Sequence, residues 1–107
     1  LPSDSVVERF KTLFKMIRER FKKTNITYVS MKPSPSRWKM KDQMMAANEG
    51  IKTYLKSQRR TNYVDIWGPM LAENGEPMKD LFLSDNLHMN AKGYAIWKEA
   101  ITHFLIK

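Results

Sequence analysis

Two short segments of this chain have the composition of β-strands, Asn25–Met31 and Asn62–Trp67, and three longer segments with helical spacing stand before, between and after them. That count constrains the fold more than any other feature. The first segment, Asn-Ile-Thr-Tyr-Val-Ser-Met, is β-branched, aromatic and uncharged, which suits a strand covered on both faces. Pro33 and Pro35 follow it; neither can donate to a ladder, so the strand ends in a loop there. The second segment is halted by Gly68-Pro69. Strands joined through a helix-length segment imply a crossover connection and parallel pairing. The expected order is helix, strand, helix, strand, long loop, helix, an α/β class with two parallel strands and three helices. Two parallel strands leave ladder edges open and offer too little surface for three helices. The pattern therefore fits the second half of a larger α/β layer structure. An open edge along Ile26 to Met31 predicts a chain that is marginally stable alone, or that self-associates.

The helical segments are amphipathic. From Ser3 to Lys23, Val6, Val7, Phe10, Leu13, Phe14, Ile17 and Phe21 recur at steps of three and four, with Lys11, Lys15, Arg18 and Lys22 on the other face. Ser5 and Glu8 have capping-box spacing for the start of this helix. Asp42–Ser57 predicts a second helix with Met44, Ala47, Ile51, Tyr54 and Leu55 inward. Gly50 within it costs about 1 kcal/mol relative to Ala. Asn74-Gly75 marks a turn in the long loop. Asn90 is a good N-cap for a helix from Ala91 to about Leu105, whose buried face would be Tyr94, Trp97, Ile101, Phe104 and Leu105. No repeat, low-complexity tract or linker divides the chain, so residues 1–107 read as part of one domain.

Composition excludes several functions. Hydrophobic residues make up 42% of the chain, too many for a disordered segment. The absence of Cys removes disulfides, thiolate metal sites and a cysteine nucleophile. No apolar run approaches the ~20 residues of a membrane span. The start, Leu1-Pro2-Ser3-Asp4, has neither an initiator Met nor signal-peptide regions and reads as cut from something longer, or processed. A net charge of +8 supports a rival class, a small basic module for nucleic acid or an anionic surface. Its contacts would be Arg37, Lys39, Lys41, Arg59 and Arg60, with Trp38 for base stacking. Most cations, however, are spread over helix faces where solvated charge is expected, and no nucleic-acid motif occurs, so specific nucleic-acid binding is not expected.

The residues with chemistry to offer are Asp85 and His88, in the loop before the last helix. A neutral imidazole can take a proton from a hydroxyl only if the correct nitrogen is free, and a carboxylate on the other nitrogen fixes that tautomer. For the bare pair, the plainer reading of a capping carboxylate and an ordinary half-buried imidazole is favoured. Arg37 and Trp38 follow the first strand, where they either rim a substrate pocket or form a surface loop with the Trp packed back on the core. Asp65 reads as a structural hydrogen-bond acceptor, His103 as a partly exposed surface residue, and the eight Met residues as core filler. His103 completes no metal set with Asp85 and His88, and no cofactor or metal is expected.

The surroundings of the pair carry a more specific signal. Ser84-Asp85-Asn86-Leu87-His88-Met89-Asn90-Ala91-Lys92-Gly93-Tyr94 resembles the last motif of the SGNH (GDSL-type) hydrolases, Asp-x-Leu-His-x-Asn-x-x-Gly-Tyr. Asp85, Leu87, His88, Asn90, Gly93 and Tyr94 all fall on it. Tyr28 to Trp38 also looks like the strand and loop that precede this motif in many such enzymes. The resemblance covers essentially the whole chain, as the C-terminal half of that family's domain. It implies a flavodoxin-like three-layer α/β/α fold and serine-dependent hydrolysis of a small ester or acylated substrate. In it, His88 would be the base that activates the serine and Asp85 would orient it, while Leu87 and Tyr94 would pack and shape the loop. The family's nucleophile lies in a Gly-Asp-Ser motif, and its oxyanion donors include the Asn of Gly-x-Asn-Asp. None of Gly50, Gly68, Gly75 and Gly93 begins either motif, and Ser34, Ser36 and Ser84 lie on no nucleophile elbow. The expectation is an acid-base half-site, inactive alone and dependent on the missing N-terminal half.

Overall fold

The periodic segments fold as their spacing predicts. The computed structural model describes residues 3–105, and in it α1 spans Ser3–Arg20, β1 Ile26–Val29, α2 Lys41–Lys56, β2 Thr61–Val64 and α3 Ala91–Leu105. Where the sequence predicts loop, 3-10 turns occupy Pro35–Met40, Gly68–Met70 and Lys79–Leu81. Pro35 and Pro69 preset φ for the start of the first two turns. Among the described residues, no helix is long and apolar enough to cross a membrane.

The two strands run parallel. Ile26 N–H donates to Arg60 O at 2.9 Å and Ser30 N–H to Val64 O at 2.9 Å, so both strands advance together. Both end earlier than the sequence suggests because the buried Ser30 hydroxyl takes over from the ladder, accepting Ile66 N–H at 3.0 Å. β1 is not covered on both faces as expected: Thr27 is exposed while Ile26, Tyr28 and Val29 are half-buried.

The chain divides into two compact units. The first comprises the chain up to Tyr28 together with Asp42–Tyr63. Its core is Phe14, Ile51 and Leu55, ringed by Val7, Phe10, Ile26, Tyr28, Tyr54 and Tyr63. Phe14 and Tyr54 meet edge to face at 5.6 Å, and Phe10 and Tyr28 at 5.0 Å. The apolar stripe of α1 is wider than this core can cover, and Leu13, Ile17 and Phe21, predicted to share the inward face, are exposed, as is Met16. Ser5 lies inside α1, two residues past its start at Ser3, and so is no cap. Gly50 does more than weaken α2. A Cβ there would lie 2.7 Å from Val7 Cγ2, so the glycine is what lets the two helices approach. Arg18, predicted to be solvated, instead donates to four carbonyls: Phe21 (3.0 Å), Thr24 (2.6 Å), Arg59 (2.8 Å) and Arg60 (3.2 Å). It thereby secures the turn at Arg60 (φ 55°) that leads into β2.

The second unit comprises Val29–Lys41 and the chain from Val64 onward. Val64, Ile66, Met70, Leu81, Phe82 and Met89 form its core, packed by Val29, Met78, Ile96, Trp97, Ala100 and Ile101. Trp97 and Ile101 thus face inward as predicted. Tyr94 does not: it is 54% exposed, and Ile96 and Ala100 take the inward positions beside Trp97. The side chains of His103, Phe104 and Leu105 lie outside the described residues. The Asn74-Gly75 turn forms as expected, with Gly75 at φ +83° and Leu71 bridged to Pro77. Met70 and Met89 are core residues, whereas Met16, Met40 and Met45 are exposed and fill nothing.

Candidate active site

Asp85 and His88 sit in the turn of a small hairpin. Phe82 pairs antiparallel with Met89, and Leu83 N–H donates to His88 O at 2.8 Å. Asn86 closes the turn at φ +57°, a left-handed conformation that Asn tolerates better than most residues. Asp85 Oδ1 accepts the backbone N–H of Leu87 (2.9 Å) and of His88 (3.0 Å). Its Oδ2 lies 2.5 Å from His88 Nδ1. The turn thus folds the carboxylate back onto the ring. Asp85 accepts backbone N–H groups as the plainer reading has it, but His88 is not half-buried: its side chain is 69% exposed, and that of Asp85 46%.

The electrostatics follow from this geometry. The His88 ring hydrogen bond, reinforced by the two backbone N–H donors, lowers the Asp85 pKa from 3.8 to about 2. The carboxylate is therefore ionised and acceptor-only at neutral pH, so the tautomer it selects in a neutral ring has the proton on Nδ1 and the lone pair on Nε2. Because the folded pKa is depressed, Asp85 contributes stability that is fully present above about pH 3.8 and lost as pH falls through about 2. The stability difference between the native chain and Asp85→Asn is expected to shrink on acidification across that window, measured by urea denaturation at stepped pH. A constant difference would remove the carboxylate as its source.

The neighbouring residues divide into those tied to the hairpin and those apart from it. Asn90 Oδ1 accepts Lys92 N–H (2.9 Å) and Gly93 N–H (3.2 Å), the cap predicted for α3. Ser36 N–H donates to Asn86 O at 3.0 Å, which joins the start of the Pro35–Met40 turn to the hairpin. Arg37 follows directly, exposed and with a backbone kink at φ −114°, ψ 16°. Trp38 stacks on the buried Trp67 at 5.8 Å and 26°, and Lys41 Nζ lies 5.2 Å from its ring. Trp38 is thus packed back and half-buried, while Arg37 is open to solvent. Asp65 lies just past β2 rather than within it and accepts Trp67 N–H at 3.0 Å, the structural bond anticipated. Arg59 and Arg60 belong to the first unit, Arg37, Lys39 and Lys41 to the second. Ser30 and Ser34 are buried, whereas Ser36 and Ser84 are exposed. Among the described residues, no three His, Asp or Glu side chains converge as metal ligands. The 3-10 turns, the left-handed Asn86 and the Trp38–Trp67 stack escape sequence reasoning; of these, only Asn86, as an Asp-Asn pair in a loop, left a readable trace.

Comparison with known proteins bears on this geometry. The model of the GDSL-like Lipase/Acylhydrolase family matches residues 1–96. A solved structure from Streptococcus pneumonia, named for platelet activating factor, superposes with a TM-score of 0.84 at 14% identity. The alignment covers 98% of this chain and 52% of that one, so the chain spans about half the length of the structure it matches. At that identity the likeness establishes the α/β fold. No curated protein sequence matches the chain.

Proposed function

We propose that this chain, which belongs to the GDSL-like Lipase/Acylhydrolase family, supplies the proton-transfer half of a serine ester hydrolase. Family membership supports ester or acyl hydrolysis in general. The finer assignment rests on one observation: Asp85 Oδ2 holds His88 Nδ1, leaving Nε2 free on an exposed ring. In this reading Nε2 takes the proton of a serine hydroxyl as that oxygen attacks the ester carbonyl. The imidazolium formed is stabilised by Asp85 and returns the proton to the leaving alcohol. A water then takes the alcohol's place and attacks the acyl carbonyl as it loses a proton to Nε2. The bond to the serine oxygen breaks, that oxygen takes the proton back from Nε2, and the acyl group leaves as a carboxylic acid.

The serine and the oxyanion donors come, in this proposal, from polypeptide beyond these 107 residues, the N-terminal half of the domain. The ladder edge of β1 is where that half, or a second copy of the chain, would add a strand. Arg37 would rim the substrate pocket, a role supported by the Ser36–Asn86 hydrogen bond beside it, while Trp38 stays packed on Trp67. The test compares this chain with one extended by a family N-terminal half bearing Gly-Asp-Ser, using a short-chain p-nitrophenyl ester. Only the extended chain is expected to show a burst followed by steady turnover. Steady turnover by the 107-residue chain alone would reject the half-site assignment.

A further inference from the structure

We propose that Asn90 is a positioning residue for the Asp85–His88 pair, acting through the hairpin that carries both. The inference rests on the hydrolase reading above and adds a residue to its machinery. Asn90 was legible as a helix cap, but its carboxamide does more. While Oδ1 accepts the N–H groups of Lys92 and Gly93, Nδ2 donates to Asp80 O at 2.7 Å and Phe82 O at 3.2 Å. Only one orientation of the amide serves, because two donors face its oxygen and two carbonyls face its nitrogen. Its own backbone N–H donates to Leu81 O at 2.9 Å. One residue therefore ties the incoming strand of the hairpin, the outgoing strand and the first turn of α3 to each other.

The consequence for the site is geometric. Asp85 Oδ1 is committed to the backbone of Leu87 and His88, so its Oδ2 meets the ring only while the turn from Leu83 to His88 stays closed. Among the described residues, the rungs beneath that turn are Leu83 N–H to His88 O and Asn90 N–H to Leu81 O, which flank the Phe82–Met89 bridge. Asn90 braces the strand that carries Phe82 from the side. Without Nδ2, the Asp80 and Phe82 carbonyls turn to water and the hairpin is held by its rungs alone.

Two variants separate positioning from capping. Ser and Asp cap helices about as well as Asn, so Asn90→Ser and Asn90→Asp both preserve the start of α3. Ser cannot reach the two carbonyls, and Asp sets a carboxylate oxygen against them. The readout is the titration of the Asp85 carboxyl followed by carbon NMR, with helix content from circular dichroism alongside. In both variants the midpoint is expected to rise from about 2 toward 3.8 while helix content is unchanged. A midpoint that stays at about 2 in a folded Asn90→Ser chain overturns the proposal and leaves Asn90 a cap. If Asn90→Asp unfolds, Asn90→Ser, which introduces no repulsion, carries the decision. His88→Ala is the control, since it removes the largest cause of the Asp85 shift. Failure of that control would overturn the Asp85–His88 pair itself, and the hydrolase reading with it, whatever Asn90 does.

Discussion

Replacing His88 with Ala, in a chain extended to include the serine, is expected to lower kcat/KM for ester hydrolysis by roughly 10⁴-fold, the upper range for a positioned general acid-base. At 1.36 kcal/mol per tenfold, that is about 5 kcal/mol of transition-state stabilisation. The fold should survive, because the His88 side chain is 69% exposed and bonds through its ring to Asp85 alone among the described residues. Lost turnover with the fold retained is thus the expected pattern, thermal unfolding falling only by what the Asp85–His88 bond contributes. Asp85→Asn should act through the tautomer. An amide NH2 placed against Nδ1 favours the ring with its proton on Nε2, which removes the lone pair the reaction needs. Asp85→Asn is therefore expected to cost between about 10² and 10⁴ in kcat/KM, with KM moving less than kcat. Full activity in His88→Ala would exclude the imidazole from the chemistry.

Gly93→Val is expected to be the most destabilising single change near the site, by about 3 kcal/mol. A Cβ at this position would lie 2.6 Å from Leu81 O and 2.9 Å from Met89 Cβ, both fixed parts of the hairpin rather than mobile side-chain ends. Gly93 also sits in the first turn of α3, where its N–H is held by Asn90 Oδ1. The helix cannot withdraw without breaking its cap. The added side chain must therefore push the hairpin off α3 and with it the Phe82 and Met89 core contacts. Gly75→Ala, whose Cβ would meet nothing within 4 Å, serves as a comparison that carries backbone strain without a clash. Equal urea midpoints for Gly93→Val and the native chain would show that α3 does not press on the hairpin.

These two residues mark different kinds of legibility. His88 and Asp85 lie three positions apart, so a single turn suffices to join them; spacing shows that they can meet, and only the resemblance of the surrounding motif implies their chemistry. Local pattern is enough for Asn90 as a cap, for Asn74-Gly75 as a turn and for the bounds of α3 at Ala91 and Leu105. The motif around His88 also names Gly93 and Tyr94, but not their purposes. Gly93 is needed for a close approach to Leu81, and Tyr94 is exposed rather than packed. No local pattern distinguishes those outcomes.

The order of helices and strands, the parallel pairing implied by a helical crossover, and the closeness of Asp85 to His88 are legible in the residues alone. Each follows from forces acting within a few residues: side-chain periodicity, capping and turn chemistry. Which apolar residues are covered depends instead on long-range packing. Leu13 and Ile17 share a helix with the buried Phe14 yet stay exposed, as does Phe21 just past its end, because coverage depends on which chain segments pack there. Long-range packing likewise decides that Arg18 binds carbonyls 41 and 42 residues away, that Ser30 ends the ladder through Ile66, and that Asn90 braces Asp80 and Phe82. Those contacts join residues that spacing along the chain does not relate, so they exist only once the chain has closed on itself.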